Sequence, residues 1–306
     1  MLKHSAAPDT RPSRVVLVGR SGFLTRHLVA DLEAHGIPFE SVGRPEIDLT
    51  SPASVDALSR VIRSGDSVVI LSALTPDKGR DFRTLMNNLR MAEHLGELFD
   101  RSRCAHVVYV SSDAVFDGKR VPLDESSSRE PGDLYALMHT SREMILQSVL
   151  AARQIPLCIL RPVALFGPGD THNSYGPNRF VREAFETRTI TLFGKGEDER
   201  SHVYVQDAAR LIARCVTRKS EGTLNIASPE TVSFMQVAQA VQSACPFSTT
   251  LVLKDRPQSG AISKRPFDTH QLHEAFPEFE FTPMAAGVSA LVAFQQHAAG
   301  NLSRAE

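Results

Sequence analysis

The stretch RVVLVGRSGFLTRHL, residues 14–28, decides the fold. Its first six residues form an almost continuous aliphatic run, which is typical of a parallel strand buried on both faces. A helical pattern follows, and Gly19 and Gly22 lie three residues apart at the junction. Glycine allows a tight turn there, and the missing Cβ lets a pyrophosphate approach the helix N-terminus. The stretch predicts a βαβ unit with a dinucleotide site, although a plain tight turn gives the same pattern.

Four further apolar runs follow this stretch, separated by helical patterns of ten or more residues. The runs cover residues 39–43, 66–73, 105–112 and 156–163. Such alternation predicts an α/β fold with a doubly wound parallel sheet. We expect a flexible lead-in over residues 1–13, a dinucleotide-binding domain over 14–165, and a mainly substrate-binding part over 166–306, with a late strand near 222–227 rejoining the sheet.

The composition argues against several classes of protein. The 306 residues carry 34 basic and 35 acidic side chains, so there is no charge excess for nucleic acid or a membrane surface. No apolar run approaches the ~18 residues needed to span a bilayer. The four cysteines are far apart and form no C-x-x-C pair. We therefore expect no metal site, no disulfide framework and a cytoplasmic location.

The end of the second predicted strand bears on the choice of cofactor. A site for NAD(H) usually has an acid there to bind the adenosine ribose, whereas this chain has Gly43 followed by Arg44. An arginine can pair with the 2′-phosphate of NADP(H), and Arg20 in the glycine turn is a second candidate. We therefore expect NADP(H) to be favoured over NAD(H), unless both arginines are solvated surface charges. Thr25 stands where a third glycine is expected for helix–strand packing.

Polar side chains gather at the end of the fourth predicted strand, in YVSSDAVFDG, residues 109–118. Open α/β sheets bind their ligands at this edge. Tyr135 and His139 follow on a predicted helix, and their spacing of four residues places them on one face. Hydroxyl, carboxylate and imidazole groups are therefore expected at one end of the sheet.

These segments, together with NNLRMAEHL, LRPVALFGPGD and RFVREAFETRTITLFGKGEDERSHVYVQDAARLI, resemble the extended short-chain dehydrogenase/reductase family in order and spacing. The branch they resemble contains nucleotide-sugar epimerases, dehydratases and reductases. The resemblance runs from about Arg14 to about Phe294. It implies a Rossmann-type sheet, a smaller C-terminal substrate-binding domain, and NAD(P)-dependent hydride transfer.

The resemblance also implies roles for the residues near the fourth strand. Ser112 matches the residue that hydrogen-bonds the reacting oxygen, Tyr135 matches the proton-carrying tyrosine, and Asp113 matches an acid beside the substrate. His139 stands where the family has a lysine that binds the nicotinamide ribose and lowers the pKa of the tyrosine. A histidine can bond the ribose and, if protonated, stabilise a tyrosinate, so we expect an altered but working relay. The alternative is a weak or inactive cofactor-binding regulatory subunit with the same fold.

The resemblance further implies two sets of binding residues. The cofactor-binding set, in which Asp48 and Leu49 flank the adenine, comprises Gly19, Arg20, Ser21, Gly22, Phe23, Leu24, Arg44, Asp48, Leu49, Leu71, Ser72, Ala73, Asn88, Tyr135, His139 and Pro162. The substrate-binding set comprises Asn178, Arg179, Arg200 and Arg256. Its arginines suit the phosphates of a nucleotide sugar, and the alternative for each is a surface salt bridge.

The reaction and the partners follow less directly from the resemblance. Ala114 occupies the place of the glutamate that 4,6-dehydratases use as a base, which argues against that reaction. Epimerase and dTDP-4-dehydrorhamnose reductase-like activities both stay open, on a nucleotide sugar or a related small carbonyl or hydroxyl compound. The predicted helices 81–102 and 134–153 match those through which the family often dimerises. A homodimer is therefore expected, with neither nucleic acid nor membrane as a partner.

Overall fold

The computed structural model describes residues 2–7, 10–171, 173, 176–256 and 263–302, with side chains up to residue 298. The strands are β1 (Lys3–His4), β2 (Val15–Val18), β3 (Phe39–Val42), β4 (Ser67–Ile70), β5 (His106–Val110), β6 (Leu157–Pro162), β7 (Ala164–Phe166), β8 (Thr189–Phe193), β9 (Glu199–Tyr204), β10 (Ser220–Ile226), β11 (Thr231–Ser233), β12 (Thr250–Lys254) and β13 (Lys264–Arg265). The helices are α1 (Phe23–Ala34), α2 (Ala53–Val61), α3 (Phe82–Arg101), α4 (Leu134–Ala152), α5 (Gly176–Thr187), α6 (Val205–Thr217), α7 (Phe234–Ala244), α8 (His270–Ala275) and α9 (Met284–Leu302), with a 3₁₀ turn at Asp113–Val115.

Seven strands form the central sheet, in the order β1-β10-β6-β5-β4-β2-β3. The six strands from β10 to β3 run parallel, and β1 is antiparallel at the edge. All residues of β2 and β4 are buried, because helices cover both faces of the sheet. The α/β doubly wound prediction is confirmed, and the aliphatic run that opened the sequence analysis is a strand inside the sheet.

The strand order reverses at β2, because β3 lies on one side of it and β4 on the other. Helices α1 and α6 pack together on one face of the sheet, and α2, α3 and α4 pack on the other. A crevice therefore lies beyond the carboxyl ends of β2 and β4. Sheets of this kind bind their ligands at such a switch point.

The chain start contributes an edge strand, which the prediction of a flexible lead-in did not anticipate. Lys3 and His4 pair with Glu221 and Ser220 of β10. The His4 ring bonds the Ser220 hydroxyl at 2.8 Å and the Ala275 carbonyl at 3.1 Å. The polar residues of this segment therefore close the free edge of β10, a pairing between positions more than 200 residues apart that local sequence does not reveal.

The second half of the chain leaves the sheet after β6 and returns to it with β10, which lies parallel to β6. Apart from α6 and α8, which pack against the central sheet, the intervening and following elements build a separate layer. In this layer β9 pairs with β7, β11 and β13, and β8 pairs with β12. Helices α5, α7 and α9 share a second hydrophobic core with these strands. Within the described residues, no helix is long and apolar enough to cross a membrane.

A buried ionic cluster attaches helix α4 to β5 and β6. The Glu143 carboxylate accepts hydrogen bonds from the Ser111 hydroxyl at 2.7 Å, from Arg161 Nε and Nη2 at 2.9 and 2.8 Å, and from Arg129 Nη1 at 2.9 Å. Glu143 and Arg161 are almost completely buried, so the pair depends on this full set of bonds. The cluster holds the helix that carries Tyr135 against the strand end that carries Ser112.

Candidate active site

The glycine turn after β2 packs directly against the backbone that follows β4. Gly19 has φ +128°, and a Cβ added there would lie 3.0 Å from the Ser72 amide nitrogen. Gly22 begins α1, and a Cβ added there would lie 2.9 Å from the Thr25 hydroxyl oxygen. An added Cβ at Gly19 would therefore crowd the Ser72 backbone, and one at Gly22 would have to displace the Thr25 side chain, apart from any ligand.

Thr25 fills the place of the third glycine without breaking the turn. Its side chain is fully buried, and its hydroxyl donates a hydrogen bond to the Gly19 carbonyl at 2.6 Å. The threonine therefore joins the first turn of α1 to the glycine turn, and it uses the space left free by Gly22. Where the usual fingerprint has a third glycine that packs closely against the strand, this chain has a hydrogen bond from the Thr25 side chain.

The end of β3 combines a steric constraint with an ion pair. A Cβ at Gly43 would lie 3.0 Å from the Arg20 amide nitrogen, so the residue in the place of the usual acid has no room for a side chain. Arg20 donates to the Ser41 carbonyl at 3.1 Å and to the Glu46 carboxylate at 2.8 Å. One of the two arginines expected near the adenosine ribose is therefore already paired with an acid, while Arg44 is exposed.

Two other predicted cofactor residues shape loops through their own hydrogen bonds. Asn88 accepts from the Leu74 amide at 2.9 Å and donates to the Leu74 carbonyl at 3.0 Å, which fixes the loop after β4. Asp48 accepts from the Thr50 amide at 2.9 Å, and this bond lowers the pKa of the Asp48 carboxyl. Their structural roles are thus to hold the segments that contain Leu71–Ala73 and Leu49.

Ser112 and Tyr135 lie on adjacent elements at the carboxyl edge of the sheet. The Ser112 hydroxyl caps the 3₁₀ turn by accepting from the Ala114 amide at 3.1 Å, and it lies 3.4 Å from Asp113 Oδ1. Tyr135 is half-buried in the first turn of α4, which Asp133 caps by accepting from the Ala136 amide at 2.8 Å. Helix α4 contacts the 3₁₀ turn that Ser112 caps, so the two hydroxyl-bearing residues lie on elements that touch.

His139 is buried beneath Tyr135 and is neutral. The two rings meet edge to face with centroids 4.8 Å apart, and His139 Nδ1 hydrogen-bonds the Tyr109 hydroxyl at 2.8 Å. Burial, and to a lesser extent the positive charge of Arg142, lowers the pKa of His139 to about 3. The imidazole is therefore uncharged at neutral pH, so it does not itself supply the positive charge that stabilises a tyrosinate. Within the described residues its Nε2 atom is buried without a hydrogen-bond partner.

The structure does not bring the four predicted substrate residues together as free phosphate ligands. Asn178 uses its amide on the Gly167 backbone, at 3.0 and 2.8 Å, and Arg179 donates to the Thr191 carbonyl at 3.1 Å. Arg256 forms ion pairs of 3.1 Å with Glu197 and Asp198, and Arg200 donates to the Ser263 carbonyl at 2.9 Å. Each side chain thus has a structural contact of its own.

Arg265 is a site residue that the sequence analysis missed. Strand β13 pairs with β9 so that Arg265 lies beside Arg200. Arg265 Nη1 is 3.8 Å from the Asp113 carboxylate, and Nη2 donates to the Asp113 carbonyl at 3.3 Å. Burial raises the pKa of Asp113, and Arg265 opposes that shift. Arg265 also lines a cavity of about 500 Å³ with Ala114 and Ala136.

Comparison with known proteins assigns the family. The model described as the NAD dependent epimerase/dehydratase family matches residues 15–227, more than half of the chain. The chain belongs to this family. Its members carry NAD(P)-dependent epimerase, dehydratase and reductase activities on nucleotide sugars, which confirms the resemblance and the prediction of an enzyme.

Individual members of the family are distant from this chain. It is 25% identical to the dTDP-4-dehydro-6-deoxy-D-allose reductase of Streptomyces bikiniensis, over 94% of this chain and 98% of that protein. The match to the uncharacterized UDP-glucose epimerase YtcB of Bacillus subtilis, at 22% identity, covers 56% of this chain and spans about half, 54%, of that protein. The NADP-bound GDP-L-fucose synthetase of Naegleria fowleri superposes with a TM-score of 0.84, at 16% identity, over 98% of this chain and 97% of that one.

The contact between Gly22 and Thr25 predicts a non-additive double mutant within the family fingerprint. Gly22→Ala should lower the free energy of unfolding by about 1–3 kcal/mol, because its Cβ displaces the Thr25 hydroxyl from Gly19. In a Thr25→Ala background the same change should cost clearly less. Urea denaturation of the four proteins of the cycle measures the coupling. Costs that simply add would show that the two side chains do not compete for space.

Proposed function

We propose that this chain is an NAD(P)-dependent reductase or epimerase that acts on a nucleotide sugar or a related small carbonyl or hydroxyl compound. The observation that supports the proposal is that Tyr135 and His139 lie on a helix that contacts the turn capped by Ser112, and that the same helix reaches Ser72, against which the glycine turn packs. A module that only binds a cofactor has no need of a proton-carrying tyrosine beside a serine hydroxyl.

The residues present fit a nicotinamide dinucleotide. Gly19 and Gly22 leave space for a pyrophosphate at the N-terminus of α1, where amide groups and the helix dipole favour anions. Ser72 Oγ and His139 Nε2 are buried atoms without a hydrogen-bond partner among the described residues. Buried polar atoms are normally satisfied, so a ligand hydroxyl is the natural partner for them. The other cofactor-binding positions named above stay part of the proposal.

Within this proposal Tyr135 carries the proton and Ser112 orients the reacting oxygen. The cofactor supplies or accepts the hydride. Tyr135 gives its phenolic proton to the carbonyl oxygen during reduction, or takes the hydroxyl proton during oxidation. His139 acts as a neutral ring that packs against Tyr135 and hydrogen-bonds a ribose hydroxyl, a role that needs no protonation.

A second candidate function is a cofactor-binding subunit with weak or no turnover. The observation that favours it is the neutrality of His139, which removes the charge normally used to activate the tyrosine. Ala114 at the place of the dehydratase glutamate leaves reductase and epimerase as the reactions to test. Because the four cysteines are free thiols, a cytoplasmic location is part of the proposal.

The substrate phosphates are proposed to bind near Arg200 and Arg265. Two neighbouring guanidinium groups suit a diphosphate, and Asp113 offsets only part of their charge. Asn178, Arg179 and Arg256 are proposed as more distant contributors through the loops that they hold.

Turnover provides the test of the proposed reaction. Tyr135→Phe removes the phenolic proton while keeping the ring, so kcat should fall by about 10²–10⁴-fold with cofactor affinity little changed. Tyr204→Phe, in the second core, is the matched control and should retain activity. The assay follows NAD(P)H absorbance or product formation on a panel of nucleotide sugars. Wild-type activity in Tyr135→Phe contradicts the mechanism, and no turnover of any sugar by the wild type favours the binding subunit.

Cofactor preference depends on the Arg20–Glu46 ion pair. The proposal expects NADP(H) to bind more tightly than NAD(H), because Gly43 takes the place of the usual acid directly after β3 and Arg20 and Arg44 are close to it in the sequence or in space. Glu46→Gln should strengthen NADP(H) binding by about 2–5-fold, since it frees Arg20 and removes a repelling charge. Isothermal titration with both cofactors measures this, with Glu33→Gln on the exposed face of α1 as the control. Equal binding of the two cofactors before and after the change would remove the preference for NADP(H).

A homodimer is proposed through the outer faces of α3 and α4. Phe82, Met86, Leu137 and Met144 are 64%, 45%, 37% and 60% exposed there, an apolar surface on the two helices expected to pair. Sedimentation velocity should show a dimer for the wild type and a monomer for Met144→Asp. Val121→Asp, which also adds a charge at an exposed apolar residue, should stay dimeric. A monomeric wild type would contradict the proposal.

A further inference from the structure

Helix α4 carries a buried arginine, Arg142, on the same face as Tyr135 and His139. Arg142 follows Tyr135 by seven positions and His139 by three, so the three side chains lie on one face of the helix. Its side chain is completely buried. The guanidinium donates to the Ser72 carbonyl at 2.8 Å and to Asn88 Oδ1 at 3.4 Å, and its carbon lies 5.3 Å from the centre of the Tyr109 ring.

This guanidinium has no ionic partner in the part of the chain that the structure describes. The neighbouring Glu143 is bound by Arg161 and Arg129, and Asp113 lies beside Arg265. Among the described residues, Arg142 contacts neutral dipoles and an aromatic face, and its Nε atom is buried without a hydrogen-bond partner there. A buried and uncompensated cation costs several kcal/mol, so its presence calls for an explanation beyond packing.

The groups between Arg142 and Tyr135 are both uncharged. Burial keeps His139 neutral, with a pKa of about 3, and raises the pKa of Tyr109 to about 12, so that phenol stays protonated. Tyr109 contacts Arg142 through its ring and His139 through its hydroxyl, and His139 contacts Tyr135. A continuous, desolvated path of side chains therefore joins the cation to the proposed proton carrier.

We propose that Arg142 supplies the fixed positive charge of the active site, in place of the residue at position 139, and stabilises the Tyr135 phenolate across the neutral His139–Tyr109 pair. The inference rests on the proposed role of Tyr135. Seven residues of helix span about 10 Å. At an effective dielectric constant of about 20, a unit positive charge at that distance lowers the pKa of a phenol by about one unit.

Direct titration of Tyr135 tests the inference without any turnover. The chain has four tyrosines, so ¹³Cζ-tyrosine labelling gives few NMR signals, and Tyr135→Phe assigns the relevant one. Arg142→Met should raise the pKa of Tyr135 by about one unit, and Arg142→Gln, which keeps an N–H donor, should do the same. Arg142→Lys and the exposed control Arg101→Met should leave it within about 0.3 units. An unchanged pKa in the neutral variants overturns the proposal, and so does an equal rise in Arg142→Lys.

A stability cycle tests the same charge independently. His139→Lys places a second cation beside Arg142 and should lower Tm, and Arg142→Met should lower Tm less in that background than in the wild type, because it also removes the like-charge repulsion. The double variant should also restore the wild-type pKa of Tyr135. A cost of Arg142→Met that is equally large in both backgrounds overturns the proposal. Failure of the proposed function would appear in the turnover of Tyr135→Phe, whereas failure of this inference appears only in the titration and the cycle.

Discussion

The close approach of Gly19 to Ser72 is the contact on which the site depends. It brings the turn after β2 against the backbone after β4, where the strand order reverses, with 3.0 Å between an added Cβ and the Ser72 nitrogen. The Thr25 hydroxyl holds one side of this contact through the Gly19 carbonyl, and Arg142 holds the other through the Ser72 carbonyl. The width of the crevice is therefore set by backbone packing, and helix α4 is tied to it.

Helix α4 is positioned by a buried network of hydrogen bonds around Glu143, in which the loss of one member affects the others. Glu143 accepts four hydrogen bonds in a buried environment, and the loss of any donor would leave charge unsatisfied. The cluster fixes the helix relative to the strand end at Ser111, and thus fixes Tyr135 relative to Ser112. Because hydrogen bonds are directional, the buried polar cluster under α4 fixes the position of Tyr135 more closely than a purely apolar interface would.

The sequence predicted those features that local pattern determines. Aliphatic runs specified the parallel strands, and the spacing of Gly19 and Gly22 specified the turn, because both depend on residues close in the chain. Arg265 was missed because it reaches Asp113 only through the pairing of β13 with β9, between positions about 65 residues apart. The sequence left the protonation state of His139 open for the same reason, since the Tyr109 contact and part of the burial that lowers the pKa of His139 come from a neighbouring strand.

The histidine at position 139 and the arginine at position 142 are best understood as a pair. Residues three apart on a helix face are neighbours, so a lysine at 139 would place its ammonium close to the buried guanidinium of Arg142. Two like charges in a desolvated site repel strongly, and neither would have a carboxylate partner among the described residues. A neutral ring at 139 avoids that repulsion and still offers Nε2 for a hydrogen bond. The loss of the lysine is therefore physically coherent with a cation elsewhere on the same face, and is not by itself a sign that the site has lost its chemistry.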